Sequence, residues 1–203
     1  MDVRNPAEVE AAFAAVLAEF GKVDIVVNGA AGNFLSPAAT LTYKGFRTVM
    51  EIDTMGTFNV SKAAHNAWLG EHGGVILNIS AWSRTVLQGT PLQVHAGSAK
   101  AAVDAMTCTL AKEWGPAGIR VVAITPGPIS GTEGMKRLGG GKKAIEEKFK
   151  GAIPLLKYGV ASDIADASLF LVSDAARMIT GVILLVDGGS WLSPGDAITV
   201  ASL

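Results

Sequence analysis

Short segments with small and polar residues, three of which contain glycine, follow four short apolar runs in the sequence. These segments are residues 28–32, 80–84, 126–132 and 187–189. Glycine and small residues are needed where the backbone must approach a flat or phosphorylated ligand, because a larger side chain would hold the ligand away. At any one of these places, the glycines could equally make an ordinary turn. Together, the four segments predict a cofactor cleft.

The apolar runs predict the strands that would position this cleft. They are largely apolar throughout, which is typical of strands buried on both faces, and they cover residues 23–27, 74–79, 119–124 and 182–186. Helical patterns lie between them, at residues 43–69, 98–114 and 162–172. This alternation indicates a doubly wound α/β fold with a parallel sheet. Ligands of such sheets bind beyond the carboxyl ends of the strands, where the small residues lie.

A further helix is predicted near the start of the chain. Asn5 is suited to cap it, Pro6 suits its first position, and Gly21 ends the apolar pattern. Glu8 stands at the spacing of a capping box, in which the third helical residue returns to the backbone of the cap.

Composition excludes several classes of protein. The 17 Lys and Arg residues nearly balance 18 Asp and Glu residues, so we expect no nucleic-acid partner. Cys108 is the one cysteine, which excludes a disulfide framework and fits a reducing compartment. No apolar run approaches the ~20 residues of a membrane span, and the three histidines lack the spacing of metal ligands. We predict one domain over residues 1–203, with no metal site.

Several motifs resemble those of the short-chain dehydrogenase/reductase superfamily over nearly the whole chain. They are Asn-Gly-Ala-Ala-Gly at residues 28–32, Ser-Ala-Lys-Ala-Ala at 98–102, Pro-Gly at 126–127 and Asp-Gly-Gly at 187–189. The resemblance implies a Rossmann-like, nicotinamide-binding sheet, usually assembled as a homotetramer.

The departures from the carbonyl-reducing members of that superfamily are informative. Four residues before Lys100, where those members carry the tyrosine that protonates a carbonyl oxygen, stands Ala96. The position of their serine corresponds to Ala81, although Ser80 and Ser83 are close to it. Their catalytic asparagine is replaced by Asp53. Two interpretations remain, an inactive relative and an enzyme that protonates carbon instead of oxygen.

The chain resembles the peroxisomal 2,4-dienoyl-CoA reductase family most closely, on residues 28–37, 57–61, 93–100 and 126–138. This implies NADPH-dependent reduction of 2,4-dienoyl-CoA to trans-3-enoyl-CoA in the β-oxidation of unsaturated fatty acids. Hydride would pass to the δ carbon and a proton to the α carbon, so no carbonyl oxygen needs a permanent proton. The alternatives are another acyl-CoA-handling reductase (enoyl-CoA or 3-oxoacyl) and a non-catalytic fragment that acts as an interaction module.

The same resemblance implies roles for individual residues. Lys100 would bind the nicotinamide ribose and contribute positive charge, and Asp53 would orient or activate the water that protonates carbon. NADP(H) would be bound by Asp2, Asn28, Gly29, Ala30, Lys100, Pro126, Gly127, Pro128, Ile129, Ser130, Gly131 and Thr132. A fatty acyl-CoA would be held by Arg4, Phe34, Thr42, Tyr43, Lys44 and Arg137.

One motif of the superfamily, the phosphate-binding Thr-Gly-x-x-x-Gly-x-Gly turn, does not occur in the sequence. Residues 2–4 match the end of the family's third strand, so we expect the first βαβαβ portion to be missing, on the order of 60 residues or more. The strand at residues 23–27 would then be an apolar edge, and we expect poor solubility and weak NADPH binding. The chain ends in Ala201-Ser202-Leu203, a poor match to the peroxisomal Ser-Lys-Leu signal. A peroxisomal location therefore rests on the resemblance, with the cytoplasm as the alternative.

Overall fold

The four predicted strands form one parallel sheet. The computed structural model of the chain describes residues 1–81, 91–137 and 150–192, except the side chains of residues 136 and 137. Within these residues the strands pair in the order β1-β2-β3-β4, and every pair is parallel. Their bounds are β1 (Ile25–Asn28), β2 (Gly74–Ile79), β3 (Ile119–Pro126) and β4 (Ile183–Val186). The predicted parallel sheet is confirmed, although β1 begins two residues later than predicted and β3 continues to Pro126.

Helices flank and connect the strands. We label them α1 (Pro6–Phe20), α2 (residues 43–72), α3 (Val94–Trp114), α4 (Glu133–Arg137) and α5 (Ala161–Val172). The run called α2 changes type along its length. Tyr43–Val49, Gly56–Ala64 and Gly70–His72 are α-helical, whereas Met50–Met55 and His65–Leu69 are π-helical. None of the helices in the described ranges has both the length and the apolar character that crossing a bilayer requires.

Both faces of the sheet are covered by helices, which confirms the doubly wound architecture. On one face, α1, α2 and α3 pack in a single core cluster that includes Val9, Val60, Leu110 and the strand residues Ile76 and Val121. On the other face, Leu171 of α5 packs in a second cluster with Val75, Leu77, Val122 and Ile124. Adjacent residues of β2 and β3 therefore point into different clusters, as the alternation of side chains along a strand requires.

Strand β1 lies at the edge of the sheet. Within the described residues it pairs with β2 alone. Val26 and Asn28 are buried on the face covered by α2, but Ile25 and Val27 on the opposite face are 45% and 58% exposed. The predicted apolar edge is therefore present in this chain.

The first helix begins and ends where the sequence predicts, but Glu8 does not complete a capping box. The Asn5 side chain caps the helix by accepting from the backbone N–H of Ala7 at 3.2 Å. The Glu8 carboxylate accepts from the Asn5 side-chain amide and from the backbone N–H of Asp2. The backbone N–H of Asn5, which a capping box would use, donates instead to the carbonyl oxygen of Asp2 in a preceding turn.

A partly buried arginine anchors the end of α5 to the sheet. The guanidinium of Arg120 on β3 donates to the carbonyl oxygens of Leu171, Ser173 and Ile179. These include carbonyls that have no partner inside the helix, because the last turn of a helix leaves its acceptors unpaired. Burial lowers the pKa of Arg120 from its ordinary value, and Asp174 partly opposes this shift.

Candidate active site

The structure brings Asp53 and Lys100 together inside the protein. Asp53 lies in the π-helical segment Met50–Met55 of α2, and Lys100 lies in α3. The Nζ atom of Lys100 is 3.4 Å from Oδ2 of Asp53, and the two side chains are 7% and 1% exposed. Removing two charges from water is costly, so such a pair persists where each charge is compensated by its neighbours. The π-helical form of the segment agrees with this placement, since π turns inside helices are frequent at functional sites.

Each member of the pair is also held to the end of a strand. Lys100 Nζ donates to the carbonyl oxygen of Ile79, the last residue of β2, at 2.9 Å. Asp53 Oδ1 accepts from the backbone N–H of Gly32, in the loop after β1, at 2.7 Å. The ion pair therefore links two helices to the carboxyl ends of two neighbouring strands.

Two unpartnered hydroxyls lie at the same edge of the sheet. Ser80 directly follows β2, and Thr125 is the penultimate residue of β3. Both are buried, and the hydroxyl oxygen of each has no hydrogen-bond partner among the described residues. Because buried polar groups are nearly always paired, such atoms are what a site for a polar ligand would present.

Ala96 is buried in the first turn of α3 and supplies no acid. The nearest residues with titratable side chains on that helix are His95 and Lys100. Within the described residues, no cluster of His, Cys, Asp or Glu is arranged to hold a metal ion.

Asn28 takes part in a buried hydrogen-bond chain. Its amide nitrogen donates to Asn78 Oδ1 on β2 at 2.8 Å and to Ser61 on α2 at 3.0 Å. The Asn78 amide donates in turn to Thr107 on α3 at 2.9 Å. This chain fixes the end of β1, and the following residues Gly29 and Ala30 are exposed.

The other predicted cofactor residues follow β3. Within residues 126–132, Ile129 forms an isolated bridge to Gly159, and Ser130 and Thr132 donate to nearby carbonyls. A pocket of about 280 Å³ lies beside this segment, and Pro128, Ile129, Lys157 and Asp187 are among its lining residues. Asp53 and Lys100 do not line it.

Close packing is a second reason for glycine at position 127, besides the predicted role in cofactor binding. A Cβ at this position would lie 2.6 Å from the Cα of Asp187, so only glycine allows the two strand ends to approach. Asp187 itself accepts from the backbone N–H groups of Gly189 and Trp191.

Asp2 and Arg4, which the sequence assigns to different ligands, are paired with each other. The Arg4 guanidinium lies 2.5 Å from the Asp2 carboxylate, and both side chains are substantially exposed. Hydrogen bonds from this guanidinium lower the pKa of Asp2 to about 2. To bind a ligand through its charged group, Asp2 or Arg4 must either keep the other side chain as a partner as well or release it.

Four of the six predicted acyl-CoA residues, Phe34, Thr42, Tyr43 and Lys44, lie around the start of α2. The hydroxyl of Thr42 caps α2 by accepting from the backbone N–H of Gly45 at 3.0 Å, while Tyr43 and Lys44 are exposed. Phe34 is 39% exposed. The side chain of Arg137 lies outside the described residues.

From the sequence, His95 was expected only to adjoin the helix of Lys100 and to line the cleft, with no contact to Phe34 predicted. It is fully buried, stacks on Phe34 and contacts its carbonyl oxygen. Because the two residues are 61 positions apart, no local spacing signals this contact.

Comparison with known proteins places these features in a family. A family described as enoyl-(acyl carrier protein) reductase matches residues 1–190. A peroxisomal 2,4-dienoyl-CoA reductase [(3E)-enoyl-CoA-producing] of Danio rerio is 54% identical over 97% of this chain and 64% of its own length. A probable 2,4-dienoyl-CoA reductase [(2E)-enoyl-CoA-producing] of Bacillus subtilis is 41% identical over 96% of this chain and 76% of its own. The chain thus spans about two thirds of the length of the peroxisomal relatives.

Solved structures agree with this placement. A short chain dehydrogenase from Bacillus anthracis has a TM-score of 0.85 and 36% identity, with 97% of this chain and 76% of that chain covered. A gluconate 5-dehydrogenase from Burkholderia cenocepacia, solved in complex with NADP and tartrate, has a TM-score of 0.87 and 27% identity, with 94% and 73% covered. The match to the family over nearly the whole chain, together with these structures, confirms the sequence-based identification: the chain belongs to the short-chain dehydrogenase/reductase superfamily.

Proposed function

We propose that this chain carries the hydride-transfer site of an NADPH-dependent 2,4-dienoyl-CoA reductase that forms trans-3-enoyl-CoA. The observation that carries the proposal is the buried Lys100–Asp53 pair at the strand ends. On the same helix as Lys100, Ala96 takes the place of a phenolic acid. Such a site has a cation for a developing negative charge but no hydroxyl at position 96 to protonate a carbonyl oxygen.

This chemistry suits a conjugated thioester. Hydride adds to the δ carbon, the two double bonds shift, and a dienolate forms with its negative charge on the thioester oxygen. A proton then bonds to the α carbon, which leaves a double bond between the β and γ carbons. Lys100 stabilises the dienolate charge, an effect that is stronger in a buried site than in bulk water. Asp53 orients the Lys100 ammonium and the water that delivers the proton.

The residues present fit a nicotinamide cofactor. The unpaired hydroxyls of Ser80 and Thr125 and the buried Lys100 ammonium lie at the carboxyl ends of the strands, where cofactors bind in this class of sheet. When bound, NADPH supplies the hydride. Gly29 and Ala30 would pass beneath it and residues 126–132 would close over it. NADP in the Burkholderia cenocepacia structure supports the choice of nucleotide.

Substrate recognition would fall to the residues around the start of α2 and to two cations from other parts of the chain. The half-exposed ring of Phe34 suits an acyl chain or a flat thioester, and the cations Arg4, Lys44 and Arg137 suit the phosphates of CoA. Tyr43 and Thr42 complete this group. By analogy with the named relatives, we place the protein in the peroxisome, and we expect it to act as a homotetramer.

A second candidate product is the (2E)-enoyl-CoA. The Bacillus subtilis relative carries this product in its name, and this chain covers more of that relative than of the peroxisomal ones. The two outcomes differ in whether the dienolate is protonated at the α or the γ carbon. The higher identity to the (3E)-producing relatives favours the α carbon.

The test is NADPH oxidation by the purified chain with a 2,4-dienoyl-CoA and, in parallel, with a 3-oxoacyl-CoA. A fusion that adds the part of the Danio rerio relative that this chain does not match provides a second form of the enzyme. We expect oxidation with the dienoyl substrate, at least in the fusion, and a product whose double bond NMR locates between the β and γ carbons. Oxidation with the 3-oxoacyl substrate alone would overturn the proposal, and a (2E) product would favour the second candidate.

A further inference from the structure

We infer that His95 is a positioning residue for Phe34, and that the pair sets how the site discriminates among acyl groups. The inference rests on the proposed function, in which Phe34 contacts the acyl part of the substrate. His95 lies in the first turn of α3, on the same helix as Lys100, and is fully buried.

His95 holds both the side chain and the backbone of Phe34. The two rings stack with their centroids 4.3 Å apart and an angle of 29° between their planes. The Nε2 atom of His95 is 3.0 Å from the carbonyl oxygen of Phe34. A carbonyl oxygen can only accept a hydrogen bond, so Nε2 carries a proton and donates it.

Neighbouring contacts tie the same loop to the residues just before α3. The Asn33 side-chain amide donates to Gln93 Oε1 at 2.7 Å, and the backbone N–H of Ser36 donates to the carbonyl oxygen of Leu92 at 2.9 Å. Leu92 has a φ of 66°, in the left-handed region that favours glycine. Such strain persists only where the surrounding structure holds the residue in place. The loop at residues 33–36 is therefore clamped against residues 92–95.

The ring of Phe34 is confined from its other side by α2. A Cβ at Gly45 would lie 3.1 Å from Cζ of Phe34 and 3.2 Å from Oγ1 of Thr42, closer than most real contacts. Phe34 thus contacts the imidazole of His95 and approaches the first turn of α2, near the proposed acyl-CoA residues Tyr43 and Lys44. These two neighbours limit the positions that the ring can take.

The imidazole makes these contacts at a cost to stability. The Nδ1 atom of His95 is buried and has no partner among the described residues, and an unpaired buried acceptor destabilises the folded state. A phenyl ring would avoid this cost and would still stack, but it could not donate to the Phe34 carbonyl. The contact with the backbone of Phe34 therefore distinguishes histidine from an apolar aromatic residue at this position.

The experiment separates the two contacts in the full chain. His95→Phe keeps a ring for stacking and removes the donor, whereas His95→Gln keeps a donor and removes the ring. Gly45→Ala displaces the same phenyl ring from the opposite side without altering His95, and alanine is a better helix former than glycine, so this variant should fold. The control is His72→Phe. His72 makes the same two kinds of contact with Trp68 at the end of α2, a stack at 3.7 Å and a bond to a backbone carbonyl.

Two measurements are made on each variant. Calorimetry gives the ratio of Kd values for a ten-carbon and a six-carbon 2,4-dienoyl-CoA, and hydrogen exchange gives the protection of the Ser36 amide. We expect the Kd ratio to change about tenfold in the three site variants, the size of effect that a misfitted methylene group can have. We expect faster exchange at Ser36 in both His95 variants, and neither change in His72→Phe.

An unchanged exchange rate in both His95 variants would overturn the positioning role. Faster exchange with an unchanged Kd ratio would overturn the role in acyl discrimination. If the unsubstituted chain binds neither dienoyl-CoA, the proposed function fails in this chain. The role of His95 and Phe34 in discriminating among acyl groups then fails with it. The exchange data then decide by themselves whether His95 positions Phe34.

Discussion

The carboxylate of Asp53 accepts a hydrogen bond of 2.7 Å from the backbone N–H of Gly32, so one buried side chain ties α2 to the loop that follows β1. The other oxygen of the same carboxylate faces the Lys100 ammonium at 3.4 Å. One carboxylate oxygen of Asp53 therefore holds the loop, and the other pairs with the charge of Lys100. Substitution can separate these two roles.

Asp53→Asn should retain the loop and lose the charge. The amide oxygen can still accept from Gly32, but the amide nitrogen is a donor and cannot pair with the Lys100 ammonium. We expect dienoyl-CoA reduction to fall about 100-fold, as for the loss of one electrostatic contact in a catalytic site. Hydrogen exchange at Gly32 should stay slow in Asp53→Asn and become fast in Asp53→Ala. Equal exchange in the two variants would contradict the separation of roles.

Removing Lys100 by itself should destabilise the protein more than removing the whole pair. Lys100→Met leaves the Asp53 carboxylate buried without its cation, which costs about 3–5 kcal/mol of unfolding free energy. The double variant Lys100→Met with Asp53→Asn removes both charges but keeps an acceptor for the Gly32 N–H, and it should recover most of that loss while remaining inactive. Urea denaturation measures the stabilities, and NADPH oxidation measures the activity. A double variant no more stable than Lys100→Met would show that the charges are not coupled.

The pairing of Asp2 with Arg4 predicts a specific pH dependence. The hydrogen bonds from Arg4 lower the pKa of Asp2 from its ordinary value of 3.8 to about 2. A lowered carboxyl pKa stabilises the folded state above the unfolded value and ceases to do so as the pH falls through the folded value. The contribution of this pair is therefore complete above about pH 4 and is lost by about pH 2. An NMR titration of the Asp2 carboxyl should give this low pKa, and Arg4→Gln should raise it. A pKa unaffected by Arg4→Gln would exclude the pairing.

The exposed face of β1 predicts how solubility responds to substitution. Val27 is 58% exposed at the sheet edge, whereas the adjacent Val26 is buried in the core under α2. Val27→Thr should reduce aggregation, measured by light scattering, because it removes apolar surface from an unpaired edge strand while keeping a β-branched residue. Val26→Thr is the matched control and should lower the unfolding free energy, since it buries a hydroxyl in an apolar cluster. Similar aggregation of Val27→Thr and the unsubstituted chain would rule out this edge as the cause.

Local pattern was sufficient to predict the strands and most helix ends. Largely apolar runs identified all four strands of the described sheet, because most of their side chains pack in the two clusters that the helices cover. Asn5, Pro6 and Gly21 marked the ends of α1 because capping depends on neighbouring residues. Glu8 misled the prediction, since its spacing does not reveal that the Asn5 backbone N–H is already used in a turn.

The contacts that shape the site were beyond local pattern. Gly32 and Asp53 are 21 residues apart, and Phe34 and His95 are 61 apart, so their contacts depend on how the helices pack on the sheet. The π-helical segment around Asp53 also has no distinctive composition. The resemblance to a family implied that Lys100 and Asp53 act at the same site. The structure adds that the Nζ atom of Lys100 is 3.4 Å from the Oδ2 atom of Asp53.

The parallel order of the sheet has a consequence for how the protein is made. Ile25 of β1 pairs with Val75, fifty residues further along the chain. A ribosome adds about 5–20 residues per second, so β1 emerges roughly 3–10 s before β2 does. During that interval β1 lacks the partner that the described sheet gives it, and its apolar residues can meet other nascent strands. Slower synthesis should therefore lower the yield of soluble protein, and chaperones that cover short apolar segments should raise it.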